Sequence, residues 1–425
     1  MSCRPGESRF SGLCSPDRYN FGDCMRFLKL VSVSETIEVL RSLAVRLPEE
    51  MVPLDEAYGR VLSRSVESPQ DIPGFTRSVK DGFAVRAMDT LGAAEQKPVL
   101  LRLTGRILMG ESDAGSVGER TTKYIPTGGV LPEGADAVVM QENAEVVDDV
   151  VMVKGPVNPG ADVLGYDDDF SAGEVVFPAG FRVTAQATGV LAAFGVDPVP
   201  VRVRPRVGII STGNELVRPR ERVRPGQIRD ANSSMLRAFF VEQGAVPVFY
   251  GIVRDDADAL SPVLLQAAAE CDLVMISGGS SKDERDVTAG VVAALGSVHI
   301  HGVSVAPGKP TIVGTVADTL VIGLPGQPAS AFVITTLFAG EVLRAMTGEL
   351  HRVRTVSAPL SMSFPSEKGR EDLVRARVLA DGRVEPVLGK SGLLNTLIRS
   401  DGYLRIPSGL DGCEEGDVVE VFLWE

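Results

Sequence analysis

Residues 271–286 read CDLVMISGGSSKDERD, an apolar run that stops abruptly at small residues and is followed by acids. Leu273 to Ile276 are continuously apolar, which is typical of a strand buried on both faces of a sheet. The run stops at SGG, residues 277–279, and residues 287–295 then predict a helix. Unblocked backbone N–H groups between a strand and a helix favour an anionic ligand, phosphate above all. Acids such as Asp286 fit beside an anion only if a cation lies between them.

Downstream of Val207 the sequence alternates between short apolar runs and helical patterns. The patterns predict strands at 207–210, 246–253, 273–276, 298–301, 311–316 and 320–323, and helices at 232–243, 257–270, 287–295 and after Pro328. This order predicts a doubly wound, largely parallel sheet with right-handed crossovers. Ligands bind such sheets at the edge where the strands have their carboxyl ends. We therefore expect these residues to converge there: Glu215, Asp255, Asp256, Gly278, Gly279, Asp286 and the turn Pro325-Gly326.

The sequence on either side of this α/β region predicts smaller modules. Ser32 and Glu35 have the spacing of a capping box ahead of a helical pattern. Residues 99–153 combine alternation with turn residues, which is typical of a mostly β module. From Arg352 onward, short alternating runs predict a small β-barrel of about 70 residues. The first 24 residues lack periodicity, and we expect ordered structure to begin at Phe27.

The overall charge and the cysteine content exclude several functional classes. A net charge of −13 argues against nucleic acid or anionic lipid as the main partner, so an anionic substrate needs local Lys, Arg, N–H groups or a metal ion. We find no stretch near the roughly 18 apolar residues of a membrane helix and no signal peptide. Five scattered cysteines and three histidines argue against structural zinc and predict a reducing cytoplasm without disulfides.

Eight motifs, in one order, carry a family resemblance. They are SVKDGFAV (78–85), PTGGVLPEGADAVVMQE (126–142), DFSAGEVVFPAG (169–180), STGNEL (211–216), ISGGSS (276–281), APGKP (306–310), LPGQPAS (324–330) and GKSGLLNTLIRSDGYLRIP (389–407). Single motifs of this kind are weak, but eight at family spacing are specific. From about Phe27 to the C-terminus the chain resembles the molybdopterin molybdenumtransferase family, which includes MoeA-like proteins and the E domain of gephyrin.

The resemblance implies the last step of molybdenum cofactor synthesis. Adenylylated molybdopterin binds with Mg²⁺, molybdate or tungstate is placed beside it, AMP is released, and the metal passes to the two sulfurs of the pterin. The resemblance also implies a cytoplasmic homodimer with no nucleic acid or membrane partner. Molybdopterin adenylyltransferase and acceptor apo-molybdoenzymes are the candidate protein partners.

The resemblance also implies site residues. Catalytic roles fall on Asp81, Glu215, Asp286 and Lys309. The metal ligands expected from it are Asp169, Glu215, Asp255, Asp256 and Asp286, because carboxylates beside a diphosphate and an oxyanion make sense as ligands of divalent cations. The expected substrate-binding residues are Thr212, Gly213, Ser277, Gly278, Gly279, Ser280, Pro307, Gly308, Pro325, Gly326, Arg370 and Ser391. Arg370 offers two parallel donors to an oxyanion, which a lysine cannot do.

Each of these residues has a structural alternative. Asp81 could fix its Asp-Gly turn, Asp169 could be a solvated loop acid, and Glu215 or Asp286 could cap a helix. For Asp255 and Asp256 a turn role is equally compatible with the sequence. Lys309, Arg370 and Ser391 could be ordinary surface residues.

By the same resemblance we expect five regions. The first three are a flexible tail at 1–26, an elongated dimerisation domain at 27–67 and 168–204, and a mostly β domain at 68–167 that carries Asp81. The other two are an α/β molybdopterin-binding domain at 205–350 and a C-terminal β-barrel at 351–425.

The chain departs from the family pattern at Lys80, Ala306 and Gln327, and in residues 278–283, where Lys282 could replace the cation lost at Ala306. These departures leave the preference between molybdenum and tungsten open. The alternative functions are a non-catalytic cofactor-binding paralogue, a molybdopterin adenylyltransferase and a scaffold of the kind formed by the gephyrin E domain.

Overall fold

The structure is a computed structural model that describes residues 30–111, 114–278, 287–350 and 354–424. The expected tail at 1–26 and the candidate site residues Gly279, Ser280 and Asp286 lie outside the described residues. In the described part, the chain forms two compact units. The first contains the described residues of Met1–Ser63, Gly180–Thr184 and Val199–Glu425, and the second consists of those of Arg64–Ala179 and Ala185–Pro198. The finer division into five regions stays a prediction.

The helices and strands are named in chain order. The α-helices are α1 (Val33–Leu43), α2 (Ala185–Ala193), α3 (Asn232–Glu242), α4 (Ala257–Glu270), α5 (Val287–Leu295), α6 (Pro328–Ile334), α7 (Gly340–Thr347) and α8 (Asn395–Ile398). The strands are β1 (Glu49–Val52), β2 (Val66–Glu67), β3 (Arg77–Ser78), β4 (Gly82–Val85), β5 (Val99–Arg106), β6 (Thr121–Ile125), β7 (Ala137–Met140), β8 (Ala144–Val147), β9 (Val150–Val153), β10 (Val163–Leu164), β11 (Val175–Phe177), β12 (Val199–Arg202), β13 (Arg206–Thr212), β14 (Leu216–Val217), β15 (Ile228–Arg229), β16 (Val246–Val253), β17 (Leu273–Ser277), β18 (Gly296–His301), β19 (Val305–Ala306), β20 (Ile312–Val316), β21 (Thr319–Leu324), β22 (Thr355–Pro359), β23 (Phe364–Pro365), β24 (Glu371–Val378), β25 (Val384–Pro386), β26 (Gly402–Ile406), β27 (Gly412–Cys413) and β28 (Val418–Leu423).

The central sheet of the first unit has the strand order β16-β13-β17-β21-β20-β18. The first four strands are parallel, as predicted. Strand β20 runs antiparallel to both of its neighbours, β21 and β18, so β18 again has the direction of the first four strands. Five of the six strands therefore share one direction, which agrees with the expectation of a largely parallel sheet, and β20 is the exception. The short connection between β20 and β21 explains the change, since adjacent strands joined by a tight turn must run in opposite directions.

Strand β17 is buried on both faces, as its continuous apolar run predicts. Leu273 and Met275 contribute to one hydrophobic cluster, together with residues of α3 and α6. Val274 and Ile276 contribute to another, together with residues of α4 and α5. Successive side chains of a strand point to opposite faces, so one five-residue strand supplies both cores of the doubly wound domain.

The segment of α6 and α7 is also part of this core. Among the described residues, Pro328–Thr347 is long and apolar enough to cross a membrane by length and composition, with a mean hydropathy of 1.4. The expectation that no stretch comes near this length is therefore wrong. However, 72% of the window is buried inside the protein, and Val333, Phe338 and Val342 belong to the α/β core.

The C-terminal residues form a second sheet of order β19-β24-β26-β28-β22, with β25 paired to β24. Its first strand, β19, comes from the α/β region and pairs with β24, with Val305 opposite Glu371. An isolated bridge between Leu360 and Val384 links the end of β22 to β25. The predicted alternation of short strands in this region is confirmed.

The second unit contains a sheet of order β7-β4-β6-β5-β9-β8, which confirms the mostly β pattern. Phe83, Leu101 and Val139 lie in its core. In the first unit, the capping box is also confirmed, since Ser32 and Glu35 exchange side-chain and backbone hydrogen bonds at the start of α1.

Candidate functional site

The loops that follow the parallel strands line a pocket of ≈ 200 Å³ in the first unit. The lining residues are Thr212, Gly213, Glu215, Leu216, Ile228, Arg229, Asp230, Ala231, Asn232, Asp255, Ser277, Gly278, Gly326 and Pro328. Seven of them are site residues that the sequence predicts: Thr212, Gly213, Glu215, Asp255, Ser277, Gly278 and Gly326. They end or follow β13, β16, β17 and β21, so the structure agrees with the expectation that these strand ends meet at one edge.

Gly278 allows the loops after β13 and β17 to approach each other closely. Its φ is +113°, a conformation that side-chain-bearing residues rarely adopt. A Cβ atom at this position would lie 2.9 Å from the hydroxyl oxygen of Thr212 and would also collide with the carbonyl oxygen of Thr212. Glycine is therefore required here by both backbone conformation and space.

Asn232, at the start of α3, joins two of the loops. Its side-chain amide donates to the hydroxyl oxygen of Ser277 at 2.8 Å and to the carbonyl oxygen of Gly326 at 2.9 Å. A carbonyl oxygen only accepts, so this contact fixes which end of the amide faces Gly326. The other end, Oδ1, is buried and has no partner among the described residues, and the same holds for the hydroxyl of Thr212. Two unsatisfied buried polar atoms lining one pocket indicate a ligand that hydrogen-bonds them.

Asp230 also lines the pocket, although no sequence motif predicts a role for it there. It is 3% exposed, and its carboxylate accepts from the hydroxyl of Ser211 at 2.7 Å and from the N–H of Ser233 at 3.0 Å. In the sequence, Asp230 stands just before a predicted helix, and an acid at this position is interpreted as a helix cap rather than as a ligand-binding residue. Only the pairing of β14 with β15 brings that position beside Glu215 in the lining.

The structure separates the two neighbouring acids Asp255 and Asp256. Asp255 lines the pocket. Asp256 is the N-cap of α4 and accepts the N–H of Ala259 at 2.8 Å. It is not among the described lining residues, and its structural role is that of a helix cap rather than the turn role that the sequence left open.

The APGKP loop and Arg370 lie elsewhere in the first unit. Pro307, Gly308 and Lys309 follow β19, and none of them is among the described residues that line the pocket. Lys309 is exposed. Arg370 precedes β24 and contacts two acids, Glu367 at 2.8 Å and Asp372 at 2.9 Å. The structure therefore does not bring these two cations together with Glu215 in the pocket.

Ser391 lies against the turn that borders the pocket. Its hydroxyl donates to the side-chain oxygen of Gln327, and its carbonyl oxygen accepts the N–H of Ala329 at 3.0 Å. Gln327, one of the departures from the family pattern, thus contacts a residue expected to bind the oxyanion. Pro325 belongs to the same turn.

Asp81 and Asp169 lie in the second unit. The carboxylate of Asp81 accepts the backbone N–H of Thr127 at 2.8 Å and the Thr127 hydroxyl at 3.2 Å, which ties it to the PTGG motif. Asp169 is exposed, and its N–H donates to the carbonyl oxygen of Ile72 at 3.2 Å. In the part of the chain that the structure describes, no three Asp, Glu, His or Cys residues are grouped so that they could hold a metal ion.

Models of known protein families match three successive parts of the chain. The family models for the MoeA N-terminal region (domain I and II), a probable molybdopterin binding domain and the MoeA C-terminal region (domain IV) match residues 31–195, 208–345 and 357–424. The chain is 36% identical to a putative molybdopterin biosynthesis protein of Methanocaldococcus jannaschii, over 88% of this chain and 91% of that protein. It is 35% identical to molybdopterin molybdenumtransferase 2 of Mycobacterium tuberculosis, over 92% and 96% of the two chains.

A crystal structure of the molybdopterin biosynthesis MoeA protein from Pyrococcus horikoshii has a similar fold. It superposes with a TM-score of 0.81 at 32% sequence identity, over 93% of this chain and 100% of that chain. Both the matched family models and the relatives extend over most of the sequence, including the segments that line the pocket. The chain therefore belongs to the MoeA family of molybdenum cofactor biosynthesis proteins.

Proposed function

We propose that this protein is a molybdopterin molybdenumtransferase, which inserts molybdate or tungstate into adenylylated molybdopterin and releases AMP. The observation that carries the proposal is the pocket at the carboxyl edge of the parallel strands, which described residues of the STGNEL, ISGGSS and LPGQPAS motifs line together, among them Glu215, Gly278 and Gly326. Asn232 Oδ1 and the Thr212 hydroxyl, which have no partner in the described part of the chain, suit a ligand with both donors and acceptors. A pterin nucleotide has both.

The pocket supports a divalent cation as part of the substrate complex. Glu215 and Asp255 present carboxylate oxygens, the donor type that Mg²⁺ prefers. Mg²⁺ is commonly held by one or two carboxylates together with substrate phosphates, so these two residues are compatible with it. We propose Glu215, Asp255 and Asp286 as the residues that would hold it. When bound, Mg²⁺ would neutralise charge between these acids and the diphosphate.

Other residues contribute to the proposed reaction from outside the pocket lining. Ser391, Arg370 and Lys309 are proposed to bind the oxyanion, supported by the placement of Ser391 on the Gln327 turn. Asp81 and Asp169, in the second unit, are proposed to act on the same substrate in a homodimer. Asp256 is omitted from the proposed ligands because its carboxylate caps α4.

We also propose the finer architecture and setting. Residues 27–67 and 168–204 would form the dimerisation domain, and residues 351–425 would close as a small barrel, which the Leu360–Val384 bridge supports. The protein would work in the cytoplasm. It would receive its substrate from a molybdopterin adenylyltransferase and serve acceptor apo-molybdoenzymes.

The test is a molybdate-dependent assay of AMP release from adenylylated molybdopterin with Mg²⁺, repeated with tungstate. We expect release that requires both the oxyanion and Mg²⁺, and its loss in Glu215→Gln. The control is Glu420→Gln, which removes an exposed carboxylate on β28. Tight substrate binding without release would identify a cofactor-binding protein instead. Pyrophosphate production from ATP and molybdopterin would identify an adenylyltransferase.

A further inference from the structure

An arginine-rich loop lies beside the pocket. Residues 218–229, here called the arginine loop, read RPRERVRPGQIR and run from the end of β14 through β15. Five arginines and one glutamate give the loop a charge of +4, in a chain whose net charge is −13. The five are exposed: Arg218, Arg220, Arg222, Arg224 and Arg229. A concentration of positive charge in an acidic protein indicates a local electrostatic role.

The arginine loop is structurally part of the pocket wall. Leu216, Ile228 and Arg229 line the pocket, and the parallel pairing of β14 with β15 holds both ends of the loop beside it. The guanidinium of Arg229 donates to the carbonyl oxygens of Pro219 at 2.9 Å and Glu221 at 3.3 Å. These contacts hold the backbone on either side of Arg220 against Arg229, so the arginines of this part of the loop lie close to a residue that lines the pocket.

The remaining four arginines are free to act on a ligand. None of Arg218, Arg220, Arg222 and Arg224 forms an ion pair with any described residue. Arginines two positions apart have Cα atoms at most about 7 Å apart, within the Debye length of about 8 Å at physiological salt. Their fields therefore add, and the resulting mutual repulsion is relieved when an anion binds between them.

The pocket next to the loop has the opposite charge. Glu215, Asp230 and Asp255 all line it, and Arg229 is the one basic side chain among the described lining residues. An acidic pocket with a basic rim orients a ligand that has a donor-rich end and a polyanionic end. The basic rim attracts the anionic end first, beside the acids proposed to hold Mg²⁺ between themselves and the diphosphate.

We propose that the arginine loop is an anion-binding rim that captures the phosphate groups of the substrate and steers the substrate into the pocket. This inference rests on the proposed function only in taking the substrate to be a phosphate-bearing pterin nucleotide. Guanidinium groups suit the role because they bind phosphate through two parallel hydrogen bonds and stay charged at any working pH. Steering acts on the association rate more than on the strength of the final complex.

The test compares two variants with the same change in net charge. The loop variant carries Arg218→Gln, Arg220→Gln, Arg222→Gln and Arg224→Gln, and it keeps Arg229 because Arg229 braces the loop. The matched control carries Arg237→Gln, Arg354→Gln, Arg377→Gln and Arg399→Gln, four exposed arginines outside the loop. Association of N-methylanthraniloyl-ADP with the full-length protein is followed by stopped-flow fluorescence across a range of ionic strengths. N-methylanthraniloyl-adenosine serves as the ligand without phosphate.

In the loop variant we expect the ADP association rate to fall about tenfold at low salt and to depend less on salt than in the wild type. The control variant should stay within about twofold, and association of the adenosine ligand should not change in either variant. An equal loss in both variants, or wild-type association in the loop variant, overturns the proposal. A loss that also appears with the adenosine ligand overturns it as well. Because this readout needs no turnover, it fails or succeeds independently of the AMP-release assay.

Discussion

The side-chain amide of Asn232 donates a hydrogen bond to the carbonyl oxygen of Gly326 at 2.9 Å, which fastens the start of α3 to the turn after β21. The same amide reaches Ser277 at the end of β17. One residue that is 8% exposed therefore fixes the relative position of three segments that line the pocket.

Replacing this amide should damage both stability and binding. In Asn232→Asp the donors are lost, and a carboxylate faces the Gly326 carbonyl oxygen close to Asp230. We expect a loss of about 1–3 kcal/mol in the free energy of unfolding, measured in urea, and weaker binding of ADP. Asn395→Asp, on the exposed face of α8, is the control. Wild-type stability and binding in Asn232→Asp would contradict the role assigned to Asn232.

A methyl group at position 278 should disturb the pocket. Gly278→Ala places a Cβ against the backbone and hydroxyl oxygens of Thr212 at a positive φ, so the two loops must move apart. We expect a destabilisation of about 1–3 kcal/mol, together with weaker nucleotide binding. Gly290→Ala is the matched control, because a Cβ there meets nothing within 4 Å and alanine favours the helix. The prediction fails if both variants unfold at the same urea concentration.

The charge of Asp81 should matter beyond its contact with Thr127. Asp81→Asn keeps an oxygen that can accept the Thr127 N–H, so the local fold should persist and stability should change by less than about 1 kcal/mol. If Asp81 acts on the substrate, AMP release should fall about a hundredfold or more. Thr127→Val, which removes only the hydroxyl contact, serves as the comparison. Full activity in Asp81→Asn would leave Asp81 with a turn-fixing role alone.

Acid should weaken the attachment of α1 to α7. Glu341 accepts hydrogen bonds from Arg344 at 2.7 Å and Arg41 at 2.8 Å. Burial alone would raise the pKa of Glu341, but the hydrogen bonds and charges of Arg344 and then Arg41 outweigh burial and lower the pKa below 4.5. Because the pKa of Glu341 is lower in the folded than in the unfolded state, its ionised carboxylate stabilises the fold at pH values above the unfolded-state pKa. This stability is lost as the pH falls through the folded-state pKa.

The corresponding experiment follows the free energy of unfolding from pH 7 down to about pH 3. Glu341→Gln should lose about 1–3 kcal/mol at neutral pH and show a shallower fall in stability below pH 4.5 than the wild type. Glu420→Gln, which changes an exposed acid, should retain the wild-type slope. Parallel pH profiles for the wild type and Glu341→Gln would refute the proposed linkage.

Much of the fold follows from local sequence. The continuous apolar run of β17 predicts burial on both faces, and the limits of β16, α4 and α5 agree with those read from periodicity. These elements were predictable because their signals, apolar period, caps and glycine stops, act over only a few residues. Ser32 and Glu35 are an example, since both halves of the capping box lie within one helical turn.

The site depended on more than local signals. The strand-end rule predicted that Glu215, Gly278 and Gly326 would meet, because parallel strands bring their carboxyl ends to one edge. That rule does not say which of two adjacent acids faces the pocket. Asp255 lines it while Asp256 caps a helix, and Asp230 enters it through a strand pairing that no periodicity indicates.

The sequence by itself thus determined the parallel strands, the helices between them and the edge where a ligand binds. Only the tertiary structure decided that Asn232 hydrogen-bonds to the turn after β21 and that Gln327 accepts the Ser391 hydroxyl. It also decided that Lys309 lies outside the described pocket lining. The physical reason is that a side chain's direction and its hydrogen-bond partners depend on residues distant in sequence. Their positions are set only when the strands pair and the cores pack.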